Sequence, residues 1–354
     1  MTSSSTPTAY AVSPDSGEHW SAEGAWEVTE GIYRIPLPLP MDGLKAINVY
    51  AIQSDDGLTL IDGGWAIPQA RELLDRCLRD IGSGFGDIRR FLVTHIHRDH
   101  YTMATVLGHE FGADVSLGIG ERPGLELLND IEALEGHPFA QILVSAGATD
   151  VAEEWIAGTK HMERPEPELW AFPDTWLDGD HQIEVGRRTV DAVHTPGHTP
   201  GHFVFAEQAD GLLFAGDHVL PTITPSIGFT VPEVEEPLGD FLASLVKVRS
   251  LPDLRILPAH GPVAPSSHDR VDELLRHHDV RLELCVKALA EGPQTAQQVA
   301  HHLPWTRHEH AYTELDIFNR GMASMETKAH LELLVARGAA VRADAPDGFR
   351  FRLA

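Results

Sequence analysis

Between His95 and His100 the chain places three imidazoles and a carboxylate, as His95-Ile96-His97-Arg98-Asp99-His100. The apolar run before it, Phe91-Leu92-Val93, reads as a buried strand. If the strand persists, His95 and His97 point the same way, because side chains on extended backbone repeat with period 2. Two imidazoles side by side suit a divalent metal. Asp99 and His100 fall past the strand end, where a turn can aim them at a second ion. The plainer reading is a polar turn leading into a helix. His-x-His alone leaves the two readings level; the added Asp-His pair favours the metal.

Three further apolar runs end in the same kind of residue. Arg188 to Val193 leads into His194-Thr195-Pro196-Gly197-His198-Thr199-Pro200-Gly201-His202. Leu212 to Ala215 ends in Gly216-Asp217-His218, and Arg255-Ile256-Leu257 ends in Pro258-Ala259-His260-Gly261-Pro262. One polar junction is ordinary, since loops collect polar residues. Four on one chain describe loops converging on a metal-bearing edge of a sheet.

With Ile61-Asp62-Gly63-Gly64 added, five motifs stand in the order of a known family, over roughly residues 27–263. The chain resembles a metallo-β-lactamase-fold hydrolase of the dinuclear, glyoxalase II-like type. The resemblance implies an α/β fold, the αββα sandwich, and two divalent metal ions. It implies that His95, His97 and His198 hold the first metal, that Asp99, His100 and His260 hold the second, and that Asp217 bridges both. Asp62 would orient a ligand imidazole from behind, a support that metal-bound histidines generally require. Asp99 and Asp217 would balance charge at the reacting centre and count as its catalytic carboxylates. Zinc is the first expectation, but an oxygen and nitrogen ligand set without thiolate also accepts Mn²⁺ or Fe²⁺.

The same ligand set removes several relatives. Members that reduce oxygen carry Glu where this chain has His97. Some true β-lactamases use a cysteine ligand and others lack the bridging carboxylate, whereas here Asp217 is present and Cys77 and Cys285 lie outside every motif. One departure stands out: Tyr101-Thr102 follows the last His of the run, where members commonly have Gly two residues on. Tyr101 is therefore expected to narrow the pocket or touch substrate. His218 is a candidate proton carrier on the substrate side. His202 reads as structural, His194 as a packing residue, and His301, His302, His308 and His310 as a distant solvated cluster.

Two such metals activate a water for attack on a carbonyl or phosphorus centre. No serine elbow is then needed, and no Gly-x-Ser-x-Gly occurs. The 354 residues carry 27 basic and 53 acidic side chains, a formal net charge of −26. Such a surface opposes phosphate backbones, whose affinity rests on Lys and Arg, and also anionic membranes. No apolar run reaches 18 residues, so no transmembrane helix is expected. Met1 to Ala25 lacks the basic start and apolar core of a secretory signal, and two distant cysteines argue against a disulfide framework. The expected compartment is the cytoplasm, and the resemblance leaves a homodimer open.

Residues 1–25 read as a flexible tail and 26–263 as the catalytic domain. A helical insert at about 121–170 is expected to cap the metals, with a Pro/Glu linker at 164–168. Pro68 to Ile81 has helical apolar spacing, with Ala70, Leu73, Leu74, Cys77 and Leu78 on one face. Residues 264–354 read as a small winged-helix-like domain: a long helix over 269–290, a Thr295 cap opening 296–303, another long helix, and a hairpin with an Asp347-Gly348 turn. This segment holds 11 basic and 13 acidic residues, −2, leaving −24 on the rest. It is not basic, so a packing or pocket-closing role is preferred to DNA binding.

Three functions follow. The first is hydrolysis of a small-molecule acyl thioester, ester or lactone, with the thioester preferred. The second is a phosphodiesterase or endoribonuclease of the same fold, which would need a basic groove. The third is a non-enzymatic regulator using the C-terminal module on DNA, with the metal domain as ligand sensor, against which the full ligand set speaks.

Overall fold

Unbroken or alternating β-branched and aromatic runs pack best on pleated surfaces, and here they build two sheets. The computed structural model describes residues 11–40, 43–130, 138–159, 166–306 and 309–354. The first sheet has seven strands in chain order: β1 (Trp26–Thr29), β2 (Ile32–Pro38), β3 (Ala46–Ser54), β4 (Gly57–Ile61), β5 (Ile88–Leu92), β6 (Asp114–Gly118) and β7 (Thr175–Leu177). Its first four strands are antiparallel, and β4 to β7 run parallel. Parallel neighbours need crossovers, supplied by α1 (Pro68–Asp80), α2 (Arg98–Phe111) and the insert, with α3 (Arg122–Asn129), α4 (Pro138–Ser145) and α5 (Thr149–Thr159).

The second sheet contains β8 (His181–Val185), β9 (Arg188–His194), β10 (Phe203–Glu207), β11 (Leu212–Gly216) and β12 (Arg255–Pro258), and α6 (Pro237–Arg249) makes the parallel crossover from β11 to β12. Between the sheets lie Ile32, Tyr50, Ile61, Leu92, Phe205, Phe214 and Leu257. On the outer face of the first sheet, α1 buries Ala70, Leu73, Leu74, Cys77 and Leu78, the face its spacing predicts. The layers are thus α/β/β/α. Pairing Ile61 with Leu92 and Phe214 with Leu257 levels the carboxyl ends of the parallel strands. The loops that leave them therefore start from one edge, where ligands bind in open α/β sheets.

The C-terminal segment comprises α7 (Ser267–Leu289), α8 (Ala296–Ala300), α9 (Ile317–Ala336) and the hairpin β13 (Ala340–Ala345) and β14 (Gly348–Leu353). The Thr295 hydroxyl caps α8 by accepting from Gln298 N–H, but that helix stops at Ala300, short of the expected end. Pro346 and Asp347 form the hairpin turn, and Gly348, at φ 111°, is the first residue of β14. The segment has no core of its own: Leu274, Leu282, Leu331 and Phe351 share one apolar cluster with Val204, Leu213 and Phe241 of the second sheet and α6. The insert is fastened to it. Ile142, Leu143 and Val151 pack with Met325, Gln297 N–H donates to Ala146 O at 2.9 Å, and any side chain at Gly321 would collide with the Trp155 indole. Arg164 and Pro165 of the expected linker lie outside the described residues.

Residues 11–25 correct the expectation of a flexible tail. Arg34 on β2 is fully buried and needs an anion, which Asp15 supplies at 2.8 Å; Asn48 Oδ1 accepts from the same guanidinium at 3.0 Å. Ser13 Oγ also accepts from Val263 N–H at 3.0 Å. Removing one partner of a buried pair strands the other charge, so Asp15→Ala is expected to cost about 3–5 kcal/mol. Urea unfolding measures this, and a change below about 1 kcal/mol would mean that Arg34 finds another anion. Among the described residues, no helix is long and apolar enough to cross a membrane.

Candidate metal centre

The strand expected to carry His95 and His97 stops sooner, at Leu92. The cause lies 32 residues away in the chain: Asp62 Oδ1 takes the Thr94 N–H at 2.8 Å, so the chain leaves the sheet. The two imidazoles meet from a loop instead, His95 Nε2 lying 3.0 Å from His97 Nδ1 with the rings at 77°. His97 is the residue before α2, which puts Asp99 and His100 in its first turn. His198 follows Gly197, whose φ of 140° and contact with the Phe241 backbone admit no side chain, and its Nε2 stands 3.1 Å from His97 Nδ1. Asp217 follows β11 directly, and His260 lies two residues beyond β12.

These side chains form two groups. His95, His97, His198 and Asp217 offer four ligand atoms within 4.8 Å of one another, and Asp99, His100 and His260 offer three. Asp217 touches both: Oδ2 is 3.5 Å from His198 Nε2, while Oδ1 is 3.5 Å from His260 Nε2 and 3.8 Å from His100 Nε2. Asp99 Oδ2 closes the second group at 3.5 Å from His260 Nε2 and 3.8 Å from His100 Nε2. His100 Nε2, His260 Nε2 and Asp217 Oδ1 are buried with no hydrogen-bond partner. Converging orphans of this kind are costly in an interior. Nitrogen and carboxylate donors of this set are what a divalent ion takes, so the residues present fit such ions.

Burial holds His95, His97 and His198 below the ordinary imidazole range, His97 at about 3, so all three are neutral donors at pH 7. His100 goes the other way. Burial opposes its charge, but Asp62, Asp99 and Asp217 outweigh that and hold it at about 9. For Asp217, burial pushes up and the imidazoles of His260, His100 and His198 pull the carboxyl below its usual range.

The remaining ring nitrogens are held from behind. His100 Nδ1 meets Asp62 Oδ2 at 2.9 Å, His198 Nδ1 meets Ser226 O at 2.8 Å, and His260 Nδ1 meets Ala46 O at 2.8 Å. Thr94 Oγ1 sits between Asp62 and His95 Nδ1, 3.0 Å from the ring nitrogen. Asn48 and Tyr50 donate to Pro258 O and Asn48 also to Gly261 O, pinning the His260 loop. Asp62 itself has φ 62°, a strained conformation for a non-glycine residue at a functional position. Support of this kind is typically worth 10–100-fold in metal affinity. Asp62→Asn is therefore expected to weaken binding at the Asp99–His100–His260 group by about that factor, read by zinc titration against a chromophoric chelator. Unchanged affinity would show that His100 needs no orientation.

Two expected substrate contacts are corrected. Tyr101 is fully buried in the core of the first layer and donates to Ala171 O at 2.6 Å, so its hydroxyl anchors the chain after the insert. His218 is fully buried against Phe241 and His202, at ring distances of 5.0 and 5.9 Å, and burial holds it at about 3. It packs behind the site and stays neutral near pH 7. His202 is structural, bonded to Thr195 Oγ1 and accepting from Asp217 N–H; His194 packs on Phe203. His301, His302 and His310 are exposed, and His308 lies outside the described residues. Glu121 also escaped sequence reasoning: 1% exposed between β6 and α3, it accepts from Thr199 Oγ1 and faces the backbone N–H groups of Gly201 and Ile96. Its only sequence signal is a Gly-x-Gly turn after a strand.

An αββα sandwich with a His/Asp cluster at one sheet edge defines a class, the metallo-hydrolases of this fold. Residues 42–260 match the metallo-beta-lactamase superfamily, and the chain belongs to it. A metallo-beta-lactamase family protein of Thermus thermophilus is similar in structure, with TM-score 0.76 and 30% identity over 93% of this chain and all of that one. A beta-lactamase domain protein of Burkholderia ambifaria gives TM-score 0.75 and 28% identity over 97% of each chain. A probable metallo-hydrolase of Bacillus subtilis is 25% identical over 88% of this chain and 94% of its own length. A beta-lactamase-like protein 2 homolog of Caenorhabditis elegans is 33% identical over 37% of this chain, and the match spans 43% of the worm protein.

Proposed function

We propose that the chain is a two-metal hydrolase of a carbonyl substrate: an acyl thioester, ester or lactone of the glyoxalase II-like kind. The single observation that carries this is the split of Asp217, with one oxygen in each ligand group. In this reading His95, His97 and His198 hold one ion, Asp99, His100 and His260 the other, and Asp217 both. Zinc is preferred. Two such ions, when bound, lower the pKa of water toward neutrality and polarise a carbonyl oxygen.

The chain's own residues set the conditions for that chemistry. Neutral His95, His97 and His198 donate lone pairs with no proton to shed, so one group is ready at neutral pH. Asp62 fixes the tautomer and direction of His100 through Nδ1, leaving Nε2 to face the site. Asp99 and Asp217 contribute the negative charge that balances the centre. Seven ligands, from loops and the first turn of α2 at a buried sheet edge, hold the reacting atoms with little reorganisation. The insert, bolted to α9 and α8, is proposed as the wall that shapes the pocket, and the winged-helix-like C-terminal segment as its buttress. The shared apolar core supports that reading over a DNA-binding one, and so does the net charge.

The description of the Bacillus subtilis relative as a probable metallo-hydrolase supports the reaction type, while substrate class rests on charge and ligand set. The test is a screen of the metal-loaded protein on acyl-CoA thioesters, lactones, nitrophenyl esters and bis-nitrophenyl phosphate. Turnover of carbonyl substrates is expected. Activity on the phosphodiester alone would replace this reading with the nuclease.

A further inference from the structure

We propose that Glu121 is a positioning residue for the His95–His97–His198 group, one buried carboxylate tying together the two loops that carry its imidazoles. The inference rests on the ligand assignment above. Ile96, whose N–H faces Glu121, lies between His95 and His97; Thr199, whose hydroxyl donates, directly follows His198; and Gly201 closes the same loop. All three partners are uncharged donors, so this carboxylate neutralises no cation. It acts as an acceptor at the junction of two loops 101 residues apart in sequence at His97 and His198.

The junction is built for close approach. A side chain on Gly118 would strike the Gly201 carbonyl, one on Gly120 the Pro200 carbonyl, and one on Gly201 the Glu121 backbone. Glutamate then reaches across a contact where only backbone fits. The Asp99–His100–His260 group is held by other means, Asp62 and the Ala46 carbonyl. Loss of Glu121 must therefore act on one group and spare the other. A carboxylate that merely fills space in the core would affect both or neither.

Glu121→Gln keeps the shape but turns one oxygen into a donor facing a donor. Zinc titration of the apo protein, with His97→Ala and His260→Ala as references for the loss of each group, reads the two affinities separately, and thermal melting of the apo forms reads the fold. The expected result for Glu121→Gln is a fall of about 10–100-fold at the group that His97→Ala affects, with the other within about threefold. Equal weakening of both groups, or no weakening, would overturn the role while leaving the ligand assignment standing. Should the Gln variant fail to fold, Thr199→Val, which removes one donor, decides in the same way through a smaller loss confined to the same group. Wild-type protein that binds fewer than two ions would overturn the ligand assignment and this inference with it.

Discussion

Asp217→Ala is expected to lose one of two bound ions and at least about 1000-fold of turnover, on the order of 4 kcal/mol of transition-state stabilisation, while the protein stays folded. The reasoning is geometric. Among the described residues, Asp217 is the one side chain whose two oxygens reach different ligand groups, at 3.5 Å from His198 and from His260. Without it His95, His97 and His198 still offer three imidazoles, enough for one ion. The other group keeps Asp99, His100 and His260 but loses the carboxylate charge that faces two of them. The fold should survive because the backbone N–H of residue 217, which donates to His202, is untouched. Metal content, kcat and circular dichroism are measured together. A variant with two ions and full turnover would remove the bridging role.

The second large effect is on pH. In the metal-free protein His100, held at about 9, is protonated at pH 7, whereas His95, His97 and His198 are lowered and already neutral. A ligand nitrogen must be free of its proton, so binding at the second group releases one. Affinity there should rise by about tenfold per pH unit from neutral pH up to about 9, while the first group stays nearly flat. The sign for stability is opposite. A raised folded pKa means that the His100–carboxylate interaction stabilises the apo protein fully below about 6.5 and is lost as pH rises through about 9. Calorimetry in buffers of different ionisation enthalpy counts the proton. Two ions binding with no proton release would mean that His100 is neutral in the free protein.

Much of the proposed ligand set was legible because each motif is short and follows an apolar strand. Residues six apart or fewer report their own spacing, and the parallel strands β4, β5, β11 and β12 then bring the motif loops to one edge. Legibility failed where distant chain decides. The early end of β5 comes from an Asp62 carboxylate 32 residues away, which no period-2 pattern reveals. Asn48 and Tyr50 lie on β3, yet they secure the His260 loop from more than 200 positions away. Glu121 carries its partners in two different loops, and neither its type nor its neighbours advertise them.

Tyr101 and His218 failed for the reverse reason. Both adjoin proposed ligands in sequence, but on a helix and past a tight turn the next residue points elsewhere. Adjacency predicted a pocket contact, and the layer beneath took the side chain. For residues 11–25 the flexible-tail reading failed because one buried guanidinium, Arg34, required Asp15 to pack.

The most direct test of the central proposal is activity as a function of zinc added to the metal-free protein. Turnover of an acyl thioester, ester or lactone found in the screen is expected to appear as the ions bind and to reach its plateau at two ions per chain. A plateau at one ion or none, or zinc-dependent turnover confined to a phosphodiester, would contradict it.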